Sequence, residues 1–157
     1  MFATHALVPG DIDGLQQPAL ALSTPDVTKS KDDGLLTMSE VLSLKINTQW
    51  VVLSACNTGT GSGEAAGATW GIGSAFLYAG SQSLLVTHWP VETTSAKYIT
   101  TNLFRNNHEQ NNNRVKAFGD TLRNMIQQGS LEGISKEEVA YAHPMFWAPF
   151  AMVSISR

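Results

Sequence analysis

The chain has 157 residues, 43% of them hydrophobic, and 10 Lys and Arg against 13 Asp and Glu for a net charge of -3. One sizeable core fits that length, so a single domain over residues 1–157 is expected, and the acidic balance without a basic stripe excludes a sequence-independent nucleic-acid surface. A single cysteine excludes an internal disulfide and a cysteine-cluster zinc site, no apolar run approaches the ~20 residues of a membrane span, and Met1 to His5 lacks the regions of a signal peptide. No metal, cofactor, nucleic acid or membrane is therefore expected as a partner, and the cytoplasm is the expected compartment.

In chain order, Phe2 to Thr4 reads as a strand stump, and the turn-rich stretch from Ala6 to Gly14 as a loop. Ala19 to Ser23 is a short strand, Pro25 to Asp33 a polar loop, and Leu35-Leu36 a return beside the strand. Thr37-Met38-Ser39-Glu40 has the spacing of a capping box, which starts a short helix to about Leu44 with Val41, Leu42 and Leu44 inward. Gln49 to Ala55 is apolar on both faces, as in a parallel sheet covered on both sides. The pattern then predicts a helix over Glu64 to Ala79 with Trp70, Ser74, Leu77 and Tyr78 inward, stopped by Gly80, and a strand over Ser83 to Thr87. Strand, helix and strand make a right-handed crossover.

Trp89-Pro90-Val91-Glu92 is a turn, and Thr93 or Thr94 is placed to cap the next helix, which carries Ala96, Ile99, Leu103 and Phe104 at helical spacing. An Asn-rich loop separates it from a second helix with Val115, Phe118, Leu122, Met125 and Ile126 on its apolar face. A short helix over Ile134 to Ala142 and a last strand over Met145 to Ile155, broken by Pro149, complete the reading.

Chemistry concentrates where the run Val51 to Ala55 delivers Cys56 and passes into the Gly-rich loop before Glu64. Open parallel sheets place ligands at the carboxyl ends of their strands, and a thiol near a helix amino terminus is biased toward thiolate, so Cys56 is the candidate nucleophile. A thiol nucleophile needs a base. His5 meets that need if the Phe2 strand lies parallel beside the Cys56 strand, whereas His88, at the end of Ser83 to Thr87, is a geometric competitor. The plainer readings are a buried small hydrophobe for Cys56, a turn residue for His5, a pocket-wall residue for His88 and a favourable charge on the helix dipole for Glu64.

Several segments, in this order and spacing, resemble CHAT domains: FATH (Phe2 to His5), VVLSACNTG (Val51 to Gly59), Gly63-Glu64, AFLYAG (Ala75 to Gly80), Trp89 to Glu92, and His143 to Phe150. These are caspase-like domains, clan CD cysteine peptidases often attached to tetratricopeptide repeats. The resemblance implies an α/β caspase-hemoglobinase fold, a three-layer sandwich with a mostly parallel sheet flanked by helices. It also implies a Cys/His dyad of Cys56 and His5, with the backbone N–H groups of Ala6 and Cys56 facing the oxyanion. Ala6 stands where the family usually has Gly. CHAT domains also carry further strands before the histidine, so the chain is expected to be the carboxyl-terminal, catalytic half of such a domain, lacking the amino-terminal part.

The expected activity is that of a cysteine endopeptidase on a protein or peptide substrate, held by a tetratricopeptide-repeat region or another regulatory protein. Ser54, two positions before the nucleophile, resembles a wall of the first specificity pocket; Glu64, His88, Trp89 and Glu92 are further candidates for it, the two glutamates as charges for a basic side chain. A non-enzymatic interaction module or inactive fragment stays open as the alternative, and a different thiol enzyme such as an acyltransferase as a third.

Overall fold

The computed structural model describes residues 1–29, 31–54, 64–109, 113–130 and 140–155, of which 25, 28 and 64–70 by backbone only. It is a mixed α/β chain with two small sheets. By its internal contacts it divides into Met1–Pro90 with Val153–Arg157, and Val91–Met152.

The first unit opens with Phe2, whose N–H donates to the Val52 carbonyl (2.8 Å) and whose carbonyl accepts the Ser54 N–H (2.9 Å), a parallel bridge between Phe2 and Leu53. After His5 the chain forms β1 (Ala6–Leu7), which pairs antiparallel with β2 (Ala19–Ala21), and β2 pairs antiparallel with β3 (Leu35–Thr37). The stretch after His5, expected as loop, thus begins with a strand, because the apolar Ala19–Ala21 returns along it. Between β2 and β3, Pro25–Thr28 makes one turn of helix, α1, inside the expected polar loop.

Thr37 caps α2 (Met38–Ser43) through the expected box: its Oγ1 accepts the Glu40 N–H (3.3 Å), and the Glu40 carboxylate accepts the Thr37 N–H (2.8 Å). Those bonds from Thr37 hold the Glu40 carboxyl below its ordinary range, against the opposing effects of desolvation and of the Asp32 charge. Of the three residues expected inward only Val41 is buried; Leu42 and Leu44 are 41% and 40% exposed, Leu44 as the extended C-cap beyond the last helical residue.

The second sheet is β4 (Val51–Leu53), β5 (Ser83–Thr87) and β6 (Phe150–Ser154), in that order. β4 and β5 run parallel with Val51, Val52 and Leu53 beside Leu84, Leu85 and Val86. All eight residues of the two strands are buried, which is why the sequence shows continuous apolar runs there and no alternation. At the far end of β6, Ser154 Oγ lies 2.9 Å from Ser83 Oγ, and the Ile155 N–H donates to the Gln82 carbonyl (2.9 Å). The expected single, mostly parallel sheet is therefore two three-stranded sheets, one of them antiparallel.

Helix α3 (Glu64–Tyr78) makes the crossover from β4 to β5. Ile72, Ala75, Phe76 and Ala79 face the core, while Ser74 and Tyr78, expected inward, are exposed, Tyr78 at 82%. Glycines dilute the apolar pattern of this helix, and what decides its rotation is close approach to the sheet. A Cβ on Gly73 would stand 2.7 Å from Leu84 and 3.4 Å from Val86. Phe76 meets the Phe2 ring with centroids 5.3 Å apart, so the same face also holds the amino-terminal stump. Gly80 stops the helix at φ 119° as expected.

In the second unit, α4 (Thr93–Glu109) packs on α5 (Arg114–Gln128) through Ile99, Leu103, Ala117, Thr121 and Met125, with Asn106 Nδ2 donating to Thr121 Oγ1 (2.9 Å) and the Tyr98 hydroxyl to Gln128 Oε1 (3.0 Å). Val115 and Ile126, expected on the buried face of α5, are exposed, and Ala117 and Thr121 take their place because small side chains let two helices approach. Glu92, and not Thr93 or Thr94, caps α4: its carboxylate accepts the N–H of Thr94 (2.7 Å) and of Ser95 (2.8 Å) and the Ser95 hydroxyl (3.0 Å). Partial burial raises the Glu92 pKa, but the hydrogen bonds from Thr94 and Ser95 outweigh it and leave the carboxyl below its ordinary range. His143 caps α6 (Pro144–Trp147), accepting the Met145 N–H at Nδ1 (3.2 Å), so the expected last strand begins as a helix with proline at its first position. The helix expected over Ile134 to Ala142 lies mostly outside the described residues. No helix among the described residues is long and apolar enough to cross a membrane.

Two predictions follow from these contacts. In Gly80→Ala the new Cβ would stand 2.0 Å from the Ile46 carbonyl oxygen, so the loss of stability in urea titrations is expected to exceed the ~1–2 kcal/mol of the backbone conformation alone. For Glu92, a folded pKa below the unfolded one means stability that is present above the unfolded pKa and lost as pH falls through the lowered value. Glu92→Gln is expected to cost about 0.3–1 kcal/mol at pH 7 and to approach the wild type as pH falls through that lowered value; an equal cost at neutral and acid pH would show that charge is irrelevant to the cap.

Candidate functional site

The candidate site is built at the carboxyl ends of three adjacent chain segments of the first unit. The bridge between Phe2 and Leu53 runs the amino-terminal stump parallel to β4, and the register of Leu53 with Val86 sets β5 on the other side. Thr4 and His5, Ser54, and Thr87 with His88 therefore emerge at one end of the sheet. This is the strand pairing that a His5 base requires.

His5 is held by its backbone, and its side chain has no hydrogen-bond partner among the described residues. The Ala21 N–H donates to the His5 carbonyl (2.9 Å), and the Thr4 hydroxyl donates to the Ala21 carbonyl. The imidazole is exposed and lines an open cavity of about 490 Å³ with Phe2, Thr4 and Leu22. A larger depression of about 820 Å³ shares Leu22 and Ser23 with it and runs along Gly34 to Leu36 toward Glu40. The larger one lies farther from the histidine, so chemistry and not size marks the smaller one as the site.

The same peptide orients Ala6. No cis peptide occurs among the described residues, and in a trans peptide C=O and N–H point in opposite directions. The His5 carbonyl faces Ala21 on β2, so the Ala6 N–H faces away from β2, toward the open edge of β1. Alanine keeps the donor that glycine would offer, and its methyl group is buried, with the residue 5% exposed.

Cys56 lies outside the described residues, so neither its distance from His5 nor the direction of its N–H enters the geometry. Ser54 is half-buried with its N–H bonded to Phe2. Glu64 is the first residue of α3, described by its backbone. His88 and Trp89 follow β5 and are exposed, Trp89 at 44%. Glu92 belongs to the second unit, and its carboxylate is engaged by the cap of α4. Among the described residues no three His, Cys, Asp or Glu side chains converge as a metal site would need.

One residue at this end of the sheet is passed over in the sequence. Thr87 is 3% exposed, and its Oγ1 has no hydrogen-bond partner among the described residues. The signal was present but faint, a polar residue closing the apolar run Leu84-Leu85-Val86.

Residues 1–155 match the CHAT domain family. The mouse tetratricopeptide repeat protein 28 is 30% identical over 123 residues and its human counterpart 28%, each alignment covering 76% of this chain and 4% of the relative. The chain thus spans a small fraction of the length of the curated relatives it matches, and no solved structure matches it. A family match over nearly the whole length, reinforced by the order and spacing of the FATH and SACNTG segments, makes this chain a member of the CHAT domain family, the caspase-like domains related to clan CD cysteine peptidases.

Proposed function

We propose that this chain carries the catalytic part of a cysteine endopeptidase with Cys56 as nucleophile and His5 as its acid and base, on a three-layer caspase-hemoglobinase sandwich. The observation that carries the reading is the parallel bridge of Phe2 with Leu53. In the sequence His5 stands three residues after Phe2 and Cys56 three residues after Leu53, and that equal offset from a parallel bridge supports pairing the two as a dyad.

In this reading the Cys56 thiolate attacks a peptide carbonyl carbon while the His5 imidazolium gives its proton to the departing amine, leaving a thioester and a free amino terminus. Water then adds to the thioester, His5 takes its proton, and the C–S bond breaks to release the acid and restore the thiolate. The N–H of Ala6, directed off β2, and that of Cys56 stabilise the oxyanion, and losing one such donor costs about 10²–10³ in kcat. Ser54, Glu64, His88 and Trp89 of the first unit are the residues assigned to the substrate pocket, and Glu92, expected with them, is taken up by the cap of α4. No cofactor takes part. The partner assigned is a tetratricopeptide-repeat region, since both relatives are named for such repeats, and the cytoplasm is the compartment in which a free thiol persists.

A second reading, an interaction module without catalysis, is favoured by the same relatives, which are named for repeats and not for a peptidase activity. Alkylation of Cys56 by iodoacetamide near neutral pH separates the two. Fast labelling that slows on the order of tenfold in His5→Ala and stays unchanged in His88→Ala is expected, because removing the imidazole returns the thiol toward its ordinary pKa. The reverse pattern makes His88 the base; full protection of Cys56 in the folded chain sinks the dyad. Cleavage of a peptide library by the wild type and not by Cys56→Ala completes the test.

A further inference from the structure

Thr87, the last residue of β5, keeps a hydroxyl out of water with no hydrogen-bond partner among the described residues. Leaving a buried hydroxyl unpaired costs stability, whereas valine would fill the same space and suit a strand at least as well. The position of that hydroxyl is what gives it meaning. Leu53 lies beside Val86 in parallel register, so the next residues along, Ser54 and Thr87, stand side by side. Leu53, Leu84 and Val86 turn toward Gly73 of α3, and alternation therefore sends Ser54 and Thr87 to the opposite face. Ser54 is half-buried and stands two residues before Cys56 in the sequence, and His88, the residue after Thr87, is exposed.

We infer that Thr87 and Ser54 form the hydrogen-bonding end of the pocket for the side chain whose carbonyl is attacked, and that they select the carboxamide of asparagine or glutamine. The inference rests on the peptidase reading above. A hydroxyl both donates and accepts, which matches an amide that does the same. A carboxylate or a guanidinium would lose its water beside two neutral hydroxyls, and a purely apolar side chain would leave the buried hydroxyl as unpaired as it is without a ligand.

The test uses tripeptide acyloxymethyl ketones that differ only in the residue next to the reactive group, asparagine, aspartate, arginine or norleucine, with Cys56 alkylation followed by intact mass. The asparagine probe is expected to react fastest. Its advantage over norleucine should fall about 10- to 100-fold in Thr87→Val, whose melting temperature should stay level or rise, because no hydrogen bond of the fold is lost. Thr87→Ser and Thr87→Ala both lose the methyl group, and the asparagine preference should survive in the first and disappear in the second. Equal rates for asparagine and norleucine, fastest labelling by arginine or aspartate, a preference that survives in Thr87→Ala, or a lower melting temperature in Thr87→Val would each overturn the role of Thr87 while leaving the dyad in place. Labelling by iodoacetamide but by none of the four peptide probes would sink the peptidase reading itself, and Thr87 with it.

Discussion

Two backbone hydrogen bonds, from the Phe2 N–H to Val52 and from the Ser54 N–H to Phe2, are the constraint on which the rest of the first unit's candidate chemistry depends. Without them the stump before His5 has no register against β4, the strand that precedes Cys56 in the sequence. Two bonds alone would be weak tethers. They are reinforced from the other side, where the Ala21 N–H takes the His5 carbonyl, and from below, where the Phe2 ring meets Phe76 of α3. The segment is thus tied to one sheet through Phe2 and to the other through the His5 carbonyl, while the His5 imidazole stays exposed.

The helix that packs on β4 and β5 is held by close approach more than by an apolar stripe. At Gly73 no side chain intervenes between α3 and Leu84, and at Gly80 the turn runs tight against Ile46, whose N–H donates to the Ala79 carbonyl (2.9 Å). The Gly73 backbone resting on the side chains of Leu84, Val86 and Leu53 fixes the height of the helix over the strands. The beginning of α3 inherits that placement.

Charge is used sparingly in the parts described. Glu40 and Glu92 both act as helix caps, each held below its ordinary carboxylate range by backbone and hydroxyl donors at a helix start. Asp120 pairs with Lys116 and Arg123 along one exposed helix face, where such pairs contribute little. At the carboxyl ends of β4 and β5, Ser54 and Thr87 are neutral hydroxyls. A specificity built there rests on hydrogen bonding and on the cost of desolvating a charge.

Local chemistry was legible from the chain alone wherever a residue type has one physical use. The capping box at Thr37 and Glu40, the helix stop at Gly80, the fully buried strand Ser83–Thr87 and the return of Leu35 along Ala19–Ala21 all follow from neighbours a few residues apart. The parallel placement of the Phe2 segment was legible only as a condition that a His5 base must satisfy, since residues about fifty positions apart leave no local trace of their pairing. Tertiary structure decided which faces are buried. Tyr78 points out and Ile72 in because Gly73 must meet Leu84, and Ala117 and Thr121 replace Val115 and Ile126 because α4 approaches closely there. It also turned Glu92 into a cap, made a strand of Ala6–Leu7 and left the Thr87 hydroxyl without a partner among the described residues. Each of these outcomes depends on what stands opposite in space, and a sequence states only what stands next along the chain.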